Sequence, residues 1–198
     1  SMEGMTAAVS GSGNVAQYAT QKVLDLGGKV VTLSDSAGTI HDKDGIDRDK
    51  LEFVMELKNV KRGRIKEYAD KYGCDYLEGQ RPWSVPCDVA VPSATQNELN
   101  IDDAKNLVSN GCKCVVEGAN MPTTYDATEY LIENKVLFGP GKAANAGGVA
   151  VSGLEMSQNS MRMSWAREDV DSKLKVIMSD IHNQCLKHGK NGDVANYV

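Results

Sequence analysis

Apolar residues recur along the chain in two spacings, and each spacing predicts a different element. Short apolar runs predict buried strands, as in residues 5–10 (MTAAVS), which stop at a glycine. Segments with an apolar residue every three or four positions predict helices, as in residues 14–26, where Gly27 and Gly28 close the helix. Further strands are predicted over residues 29–33, 74–77, 87–92, 112–117 and 136–138, and further helices over 47–60, 63–72, 101–109, 123–134 and two long segments that begin near Gly147 and Asp169.

Strands and helices therefore alternate from one end of the chain to the other. This alternation predicts an α/β fold, with a doubly wound, mostly parallel sheet that carries helices on both faces. The polar stretch over residues 34–45 and the glycine-rich stretch over residues 139–148 predict loops. The two long closing helices have no strands of their own, so we expect them to pack on the sheet edge, on another domain or on another subunit.

The composition narrows the class of protein. The chain has 198 residues, of which 41% are hydrophobic and 25% charged, as in a globular protein of one large domain or two small ones. Its formal net charge of −5 argues against non-specific binding to nucleic acid, which needs an excess of Lys and Arg. No apolar run approaches the roughly 20 residues that cross a bilayer, and the first residues do not resemble a signal peptide. We therefore expect a cytoplasmic protein that binds neither nucleic acid nor membrane.

The cysteines and histidines do not predict a metal site. The five cysteines are an odd number and include no CxxC pair, and the chain has three histidines. A zinc site needs more ligands at workable spacing. We interpret the cysteines as buried, reduced thiols, which are typical of cytosolic proteins.

A glycine-rich turn joins the first predicted strand to the first predicted helix. Residues 11–16 (GSGNVA) match the pattern G-x-G-x-x-[G/A]. Gly11 permits the tight turn, Gly13 lets a pyrophosphate approach the backbone, and Ala16 lets the helix pack on the strand. The free N–H groups at the helix N-terminus favour negative phosphates. In this strand–turn–helix context the motif predicts a dinucleotide site in a Rossmann-like fold.

The end of the second predicted strand leaves the choice of dinucleotide open. Asp35 lies 22 residues after Gly13 (35 − 13), where an acidic residue meets the adenosine ribose of NAD. However, Ser34 and Ser36 flank it, and hydroxyl groups can bind phosphate oxygens. Basic residues that could neutralise the 2′-phosphate of NADP follow at Lys58, Lys61, Arg62 and Arg64, although they could equally be a solvated helix end.

Three further loops, rich in small and polar residues, follow later strands. They cover residues 92–97 (PSATQN), 117–122 (EGANMP) and 139–148 (GPGKAANAGG). In a doubly wound sheet, such loops meet at the carboxyl ends of the strands, where ligands bind. Asn and Thr side chains can bind a nicotinamide carboxamide and ribose hydroxyls without adding charge. Each loop alone could be an ordinary turn, but three together favour a binding site.

No residue is an obvious acid–base catalyst. The candidates are Lys142 and the histidines His41, His182 and His188, and each has a simpler structural explanation. Neither a Ser-His-Asp arrangement nor an HExxH motif occurs. If the protein is an enzyme, we expect its catalytic residues to lie outside this chain.

Four blocks of sequence resemble one enzyme family. They are residues 10–18 (SGSGNVAQY), 92–99 (PSATQNEL), 117–124 (EGANMPTT) and 139–156 (GPGKAANAGGVAVSGLEM). These blocks resemble the Glu/Leu/Phe/Val dehydrogenases, and within that family the hexameric enzymes that act on glutamate. The resemblance covers essentially the whole chain. It implies reversible conversion of L-glutamate to 2-oxoglutarate and ammonia, with hydride transfer to NAD(P).

The resemblance also implies roles for individual residues. Ser34-Asp35-Ser36 is similar to the NADP-preferring branch, in which residues matching Ser36, Lys58 and Arg64 approach the 2′-phosphate. This favours NADP, although a carboxylate at Asp35 would repel a phosphate unless it is offset, so NAD or dual use stays open. The implied cofactor-binding residues are Gly11, Ser12, Gly13, Asn14, Val15, Asp35, Ser36, Lys58, Arg64, Ala94, Thr95, Gln96, Asn120 and Asn145, with Ala94, Thr95, Asn120 and Asn145 on the nicotinamide side.

One residue is implied for the substrate. Ser152 matches a residue that contacts the side-chain carboxylate of the substrate, or it could be the N-cap or first turn of the following helix. The lysines that hold substrate carboxylates and the lysine–aspartate pair for proton transfer belong to the family's N-terminal domain. We therefore predict neither a catalytic nor a metal-binding residue in this chain.

The resemblance implies that residues 1–198 form the C-terminal, cofactor-binding domain of a longer, homohexameric enzyme. The N-terminal substrate domain is expected to lie outside the chain, as is a final segment that would follow Asn196-Tyr197-Val198. Such a chain would bind NADP, or alternatively NAD, without turnover. The alternatives are an enzyme for leucine, phenylalanine or valine, a non-catalytic nucleotide-binding module, and a methyltransferase-type domain.

Overall fold

The computed structural model describes residues 1–189, which build a mixed seven-stranded sheet covered by helices. The strand order across the sheet is β4-β3-β2-β1-β5-β6-β7. The five strands β2, β1, β5, β6 and β7 are parallel, whereas β3 and β4 continue the sheet in antiparallel pairing. The strands are β1 (Thr6–Val9), β2 (Lys29–Asp35), β3 (Gly38–His41), β4 (Asp75–Glu78), β5 (Val89–Val91), β6 (Cys114–Val116) and β7 (Leu137–Gly139).

Helices connect most of these strands. Asp47 and Asn100 cap the second and fourth helices with their side chains, because each accepts backbone N–H groups of the first turn. Asn100 forms a capping box with Asp103. The helices are α1 (Asn14–Asp25), α2 (Arg48–Met55), α3 (Lys66–Tyr72), α4 (Ile101–Ser109), α5 (Tyr125–Glu133), α6 (Gly141–Ala144), α7 (Ala146–Met161) and α8 (Arg167–His188), with a π-helical segment at Glu56–Val60 and a 3₁₀ turn at Pro82–Ser84.

The central strand separates two hydrophobic cores. Ala7 and Val9 of β1 pack into a first core with α1, α2 and α3, whereas Ala8 packs into a second core with α4 and α5. This division follows from the pleat, which points successive side chains to opposite faces of a sheet. Trp83, from the 3₁₀ turn, is fully buried in the second core.

Two sequence predictions about elements were wrong, and a third was confirmed. The predicted loop over residues 34–45 contains β3, which forms a hairpin with β2 in which Asp35 pairs with Gly38. A Cβ on Gly38 would lie 2.5 Å from the Leu77 carbonyl oxygen, so this strand pairs closely only because it begins with glycine. The glycine-rich stretch after Gly139, predicted as a loop, forms α6 and the start of α7. The predicted helix over residues 47–60 is confirmed, with an α-helical part that ends at Met55 and a π-helical part over Glu56–Val60.

The last two helices lie outside both cores. Neither α7 nor α8 contains a buried residue, and both contact each other and α6. Their exposed side chains include Val149, Met156 and Val176. Within residues 1–189, no helix is long and apolar enough to cross a membrane. The predicted end of the chain at 196–198 lies outside the described residues.

Candidate functional site

Five segments of predicted site residues meet at the carboxyl end of the parallel sheet. They are the turns after β1 and β2, and the loops after β5, β6 and β7. This edge is where open α/β sheets bind ligands, because loops from neighbouring strands diverge there and leave a crevice.

The two glycines of the first turn have different structural roles. Gly11 has φ +78°, and a Cβ there would lie 3.0 Å from the Ser93 carbonyl oxygen and 3.2 Å from Ala94. The fold therefore requires glycine at position 11, both for its backbone conformation and for its contact with the next loop. Gly13 has an extended backbone with φ −82°, and a Cβ there would meet nothing within 4 Å. Glycine at position 13 leaves open space in front of the helix.

The N-terminus of α1 faces this open space. Gly13 is the N-cap and has no side chain to bind the first N–H groups of the helix, and the following Asn14 and Val15 are exposed. Gln17 supports the turn from below, because its buried side-chain amide donates to the Ser12 carbonyl oxygen at 2.9 Å. The arrangement can accept an anionic group, since helix N–H groups and the helix dipole both favour negative charge there.

The carboxylate of Asp35 is already engaged within the protein. One oxygen accepts the backbone N–H of Ala37 at 2.9 Å, and the other accepts that of Ile65 at 2.9 Å. The Lys58 ammonium lies 3.7 Å from the second oxygen, and the Asp35 side chain is only 9% exposed. The charge of Asp35 is therefore offset by Lys58 and by two backbone donors.

Exposed polar groups lie beside this buried carboxylate. The Arg64 guanidinium donates to the Ser36 hydroxyl at 2.9 Å, and both side chains are exposed. Lys58 also donates to the Gly63 carbonyl oxygen at 2.8 Å, which fixes its ammonium near the same turn. The fold thus brings together Ser36, Lys58 and Arg64 from three separate parts of the sequence.

The loop after β5 is exposed at its tip and anchored below it. Ala94, Thr95 and Gln96 are exposed, whereas Glu98 is buried. One oxygen of Glu98 accepts both the Ser10 hydroxyl and the backbone N–H of Ala94, each at 2.9 Å. Burial raises the pKa of Glu98, and its hydrogen bonds offset this increase only in part.

A second buried carboxylate anchors the loops after β6 and β7. Glu117 accepts the backbone N–H of Gly141 at 2.6 Å with one oxygen and that of Thr123 at 3.2 Å with the other. It thereby holds the start of α6 against the loop that follows β6.

Two predicted asparagines lie on the same side of the site. The Asn145 amide, between α6 and α7, donates to the Ala119 carbonyl oxygen at 2.8 Å. The backbone N–H groups of Gly118 and Ala119 both donate to the Pro92 carbonyl oxygen at 2.9 Å, so this loop is also joined to the loop after β5. Asn120 and Asn145 line one open cleft of about 900 Å³.

Ser152 lies within a helix and not in one of the five loops. It lies exposed in the second turn of α7, because the helix begins at Ala146. The interpretation of Ser152 as an N-cap or first-turn residue was therefore wrong, and its contact with a substrate stays a prediction.

The possible catalytic groups lie in different elements. Lys142 is exposed in α6 and lines the same cleft as Asn120 and Asn145, whereas His41 is partly buried in β3 and His182 and His188 are exposed in α8. Among residues 1–189, no group of three or more His, Cys, Asp or Glu side chains is arranged to hold a metal ion.

The sequence pattern did not identify Gln17, Glu98 or Glu117, whose buried side chains bind backbone groups of the turns and loops of the site. The available signal was an acidic residue inside each of two otherwise uncharged loop blocks, PSATQNEL and EGANMPTT. Such residues are buried only when the loops pack together, and sequence spacing does not show that.

Comparison with known proteins identifies the family. The family model described as Glutamate/Leucine/Phenylalanine/Valine dehydrogenase matches residues 1–198. The chain belongs to this dehydrogenase family. Among its relatives in the family, "Glutamate dehydrogenase" of Bacteroides thetaiotaomicron is 61% identical over the whole chain, and "NADP-specific glutamate dehydrogenase" of Escherichia coli is 56% identical over 99% of it.

A solved structure from the same family has the same fold. The chain superposes on Plasmodium falciparum glutamate dehydrogenase with a TM-score of 0.91 and 50% identity, covering 98% of this chain and 43% of that one. The chain spans about 45% of the length of the curated relatives. Its α/β architecture is therefore that of about half of a glutamate dehydrogenase subunit.

Proposed function

We propose that the chain is the Rossmann-type, dinucleotide-binding domain of an NADP-dependent glutamate dehydrogenase and corresponds to the enzyme's C-terminal domain. The observation that carries the proposal is the open space at Gly13, directly before the N-terminus of α1. A diphosphate in that space would meet backbone N–H groups without displacing any side chain. The family assignment and the names of the relatives agree with this proposal.

The turn after β2 favours NADP over NAD. An NAD-binding carboxylate must be accessible to the ribose 2′-hydroxyl, whereas the Asp35 side chain is only 9% exposed and both its oxygens accept backbone N–H groups. Ser36 and Arg64 instead offer a hydroxyl and a guanidinium at the surface, with Lys58 close by. These groups suit a 2′-phosphate, because charge-assisted hydrogen bonds to phosphate are among the strong ones. NAD remains the alternative cofactor.

The loops at the other end of the crevice would hold the nicotinamide half. Ala94, Thr95, Gln96, Asn120 and Asn145 would contact its ribose and carboxamide. When bound, NADP supplies a hydride acceptor for the amino-acid Cα. The chain's own contribution is to fix the two ends of the cofactor on one sheet edge and to exclude water from one side of the reacting ring.

The complete enzyme would convert L-glutamate and 2-oxoglutarate into one another. The groups for proton transfer would come from a separate substrate domain, and Ser152 would approach the substrate from this domain. A homohexamer is the proposed assembly of the complete enzyme. The chain alone should bind cofactor but not oxidise glutamate.

Calorimetric titration of the 198-residue chain with NADPH and NADH tests the proposal. We expect saturable binding of NADPH that is tighter than that of NADH. In a parallel assay with glutamate and NADP, the chain should produce no increase in NADPH absorbance. Failure to bind either dinucleotide would overturn cofactor binding. Glutamate oxidation by the chain alone would overturn the proposal that the groups for proton transfer come from a separate substrate domain.

A further inference from the structure

We propose that Glu98 is a positioning residue for the nicotinamide half of the cofactor. Its buried carboxylate fixes the loop at Ala94 and Thr95 to the glycine-rich turn over residues 11–16, the phosphate turn. The inference rests on the proposed function and goes beyond it, since Glu98 itself is too buried to contact the cofactor. Only 7% of its surface is exposed.

Glu98 lies at the centre of a hydrogen-bond network. Oε1 of Glu98 accepts the Ser10 hydroxyl and the Ala94 backbone N–H, each at 2.9 Å. The same Ser10 oxygen accepts the Ser93 backbone N–H at 2.8 Å. Two successive N–H groups of the loop, those of Ser93 and Ala94, are therefore held by one carboxylate, the first through Ser10 and the second directly.

Ser10 connects this network to the phosphate turn. Ser10 is fully buried and immediately precedes Gly11, the first residue of the phosphate turn. The Gly11 backbone approaches Ser93 so closely that it leaves no room for a Cβ. The position of the loop tip is consequently tied to the position of the turn. A cofactor held at the turn would find Ala94 and Thr95 at a fixed distance.

The buried position of the Glu98 carboxylate needs a physical explanation. Burial of an acidic side chain is unfavourable unless its oxygens find donors, and a residue that only filled space would be apolar. Glu98 has backbone and hydroxyl donors, whereas no ion pair with it is found among residues 1–189. The carboxylate is suited to gather several N–H groups at one point, which an apolar side chain could not do.

The substitution Glu98→Gln tests the role with little change of volume. The amide can place its acceptor oxygen where Oε1 lies but carries no negative charge, so the hydrogen bonds from Ser10 and Ala94 lose their charge assistance. We expect NADPH to bind about ten-fold more weakly, which corresponds to roughly one hydrogen bond. Binding of 2′-phospho-ADP, which lacks both the nicotinamide and its ribose, should change by less than about two-fold. A merely structural role would weaken both ligands equally.

Two further variants keep the test decisive. Asp88→Asn is the matched control, because Asp88 accepts the Thr6 backbone N–H at the opposite end of the strands. It should leave the affinity for both ligands unchanged. If Glu98→Gln does not fold, Ser10→Ala removes the hydroxyl that links Glu98 to Ser93 and should give the same split between the ligands.

The outcomes are distinguishable. Equal weakening of both ligands, or unchanged NADPH affinity in folded Glu98→Gln, would overturn the positioning role while leaving cofactor binding intact. If the unaltered chain bound neither ligand, the proposed function would fail, and the role of Glu98 would fall with it.

Discussion

Gln17 and Asn59 exchange two hydrogen bonds of 3.1 Å between their side-chain amides. Gln17 lies in α1 and is 1% exposed, and Asn59 lies in the π-helical segment that also carries Lys58. Because Gln17 also binds the Ser12 carbonyl oxygen, this pair connects the phosphate turn to the basic group near Asp35.

The substitution Asn59→Ala should therefore destabilise the chain and disturb both parts of the site. It leaves the buried Gln17 amide without two of its partners, which should lower the free energy of unfolding by about 1–3 kcal/mol. Urea denaturation measures this change. Asn59→Asp keeps the acceptor but loses the donor, so its effect should be smaller. Equal stability of Asn59→Ala and the unaltered chain would show that the pair contributes nothing.

The two glycines of the phosphate turn should respond in opposite ways to substitution. Gly13→Val should retain the fold, with a change of less than about 1 kcal/mol in the free energy of unfolding, because a Cβ there is unobstructed and the backbone is extended. The added methyl groups should nevertheless abolish NADPH binding in a calorimetric titration. Unchanged NADPH affinity would refute the assignment of this turn.

Gly11→Ala is the counterpart. Its positive φ and the 3.0 Å approach of a Cβ to Ser93 should lower the free energy of unfolding by about 1–3 kcal/mol. Thermal denaturation without ligand checks this effect. A fully stable Gly11→Ala would contradict the close contact between the turn and the loop after β5.

Arg64 should distinguish NADPH from NADH. Arg64→Ala removes a guanidinium that lies at the Ser36 hydroxyl, so NADPH should bind about ten-fold more weakly while NADH binding is unchanged. Lys61→Ala is the control, because Lys61 carries the same charge nearby but pairs with Glu56 at 2.9 Å. The effect of Arg64→Ala should decrease at high salt. Equal loss for both dinucleotides would argue against a 2′-phosphate site.

A buried cluster remote from the phosphate turn should contribute to acid stability. The Asp42 carboxylate accepts the Tyr68 hydroxyl at 2.6 Å and the Lys50 ammonium at 2.8 Å. Burial alone would raise the pKa of Asp42, but these hydrogen bonds outweigh it and hold the pKa below its ordinary value of 3.8. A carboxyl group with a lowered folded-state pKa stabilises the fold above its unfolded pKa and loses that contribution as the pH falls through its folded pKa.

Tyr68→Phe should remove part of this stability. At neutral pH the free energy of unfolding should fall by about 1.5–3 kcal/mol, since a hydrogen bond to a buried charge is lost. Below pH 3.8 the difference between the variant and the unaltered chain should shrink, because protonation of Asp42 weakens a hydrogen bond that only the unaltered chain makes. Urea denaturation across a pH series measures both effects. A difference that does not vary with pH would indicate lost packing instead.

The parts of the fold that depend on local pattern could be predicted from the sequence. The strand, turn and helix around Gly11 and Gly13 follow from apolar spacing and glycine placement within 20 residues. The hairpin of β2 and β3 could not be predicted, because β3 has only four residues and its pairing with β4 joins distant segments. Its one local sign is Gly38, which lies in the polar stretch over residues 34–45 that predicts a loop.

The predicted site was incomplete for the same reason. Exposed residues such as Ser36 and Thr95 stand in loops whose composition indicates binding. The supporting contacts are long-range, since Glu98 lies 88 residues after Ser10 in the chain. Only the folded structure shows that a carboxylate in one loop meets a hydroxyl in another.

The alternation of Ala7, Ala8 and Val9 makes the two cores dependent on each other. The short strand β1 contributes side chains to both cores, and the residues that follow it are Ser10 and Gly11. A substitution that disrupts the second core, for instance at Leu107, would also affect the core on the opposite face of the sheet, because β1 packs into both. The molecule should therefore unfold as one cooperative unit. The crevice at the carboxyl end of the sheet should be lost at the same temperature as either core.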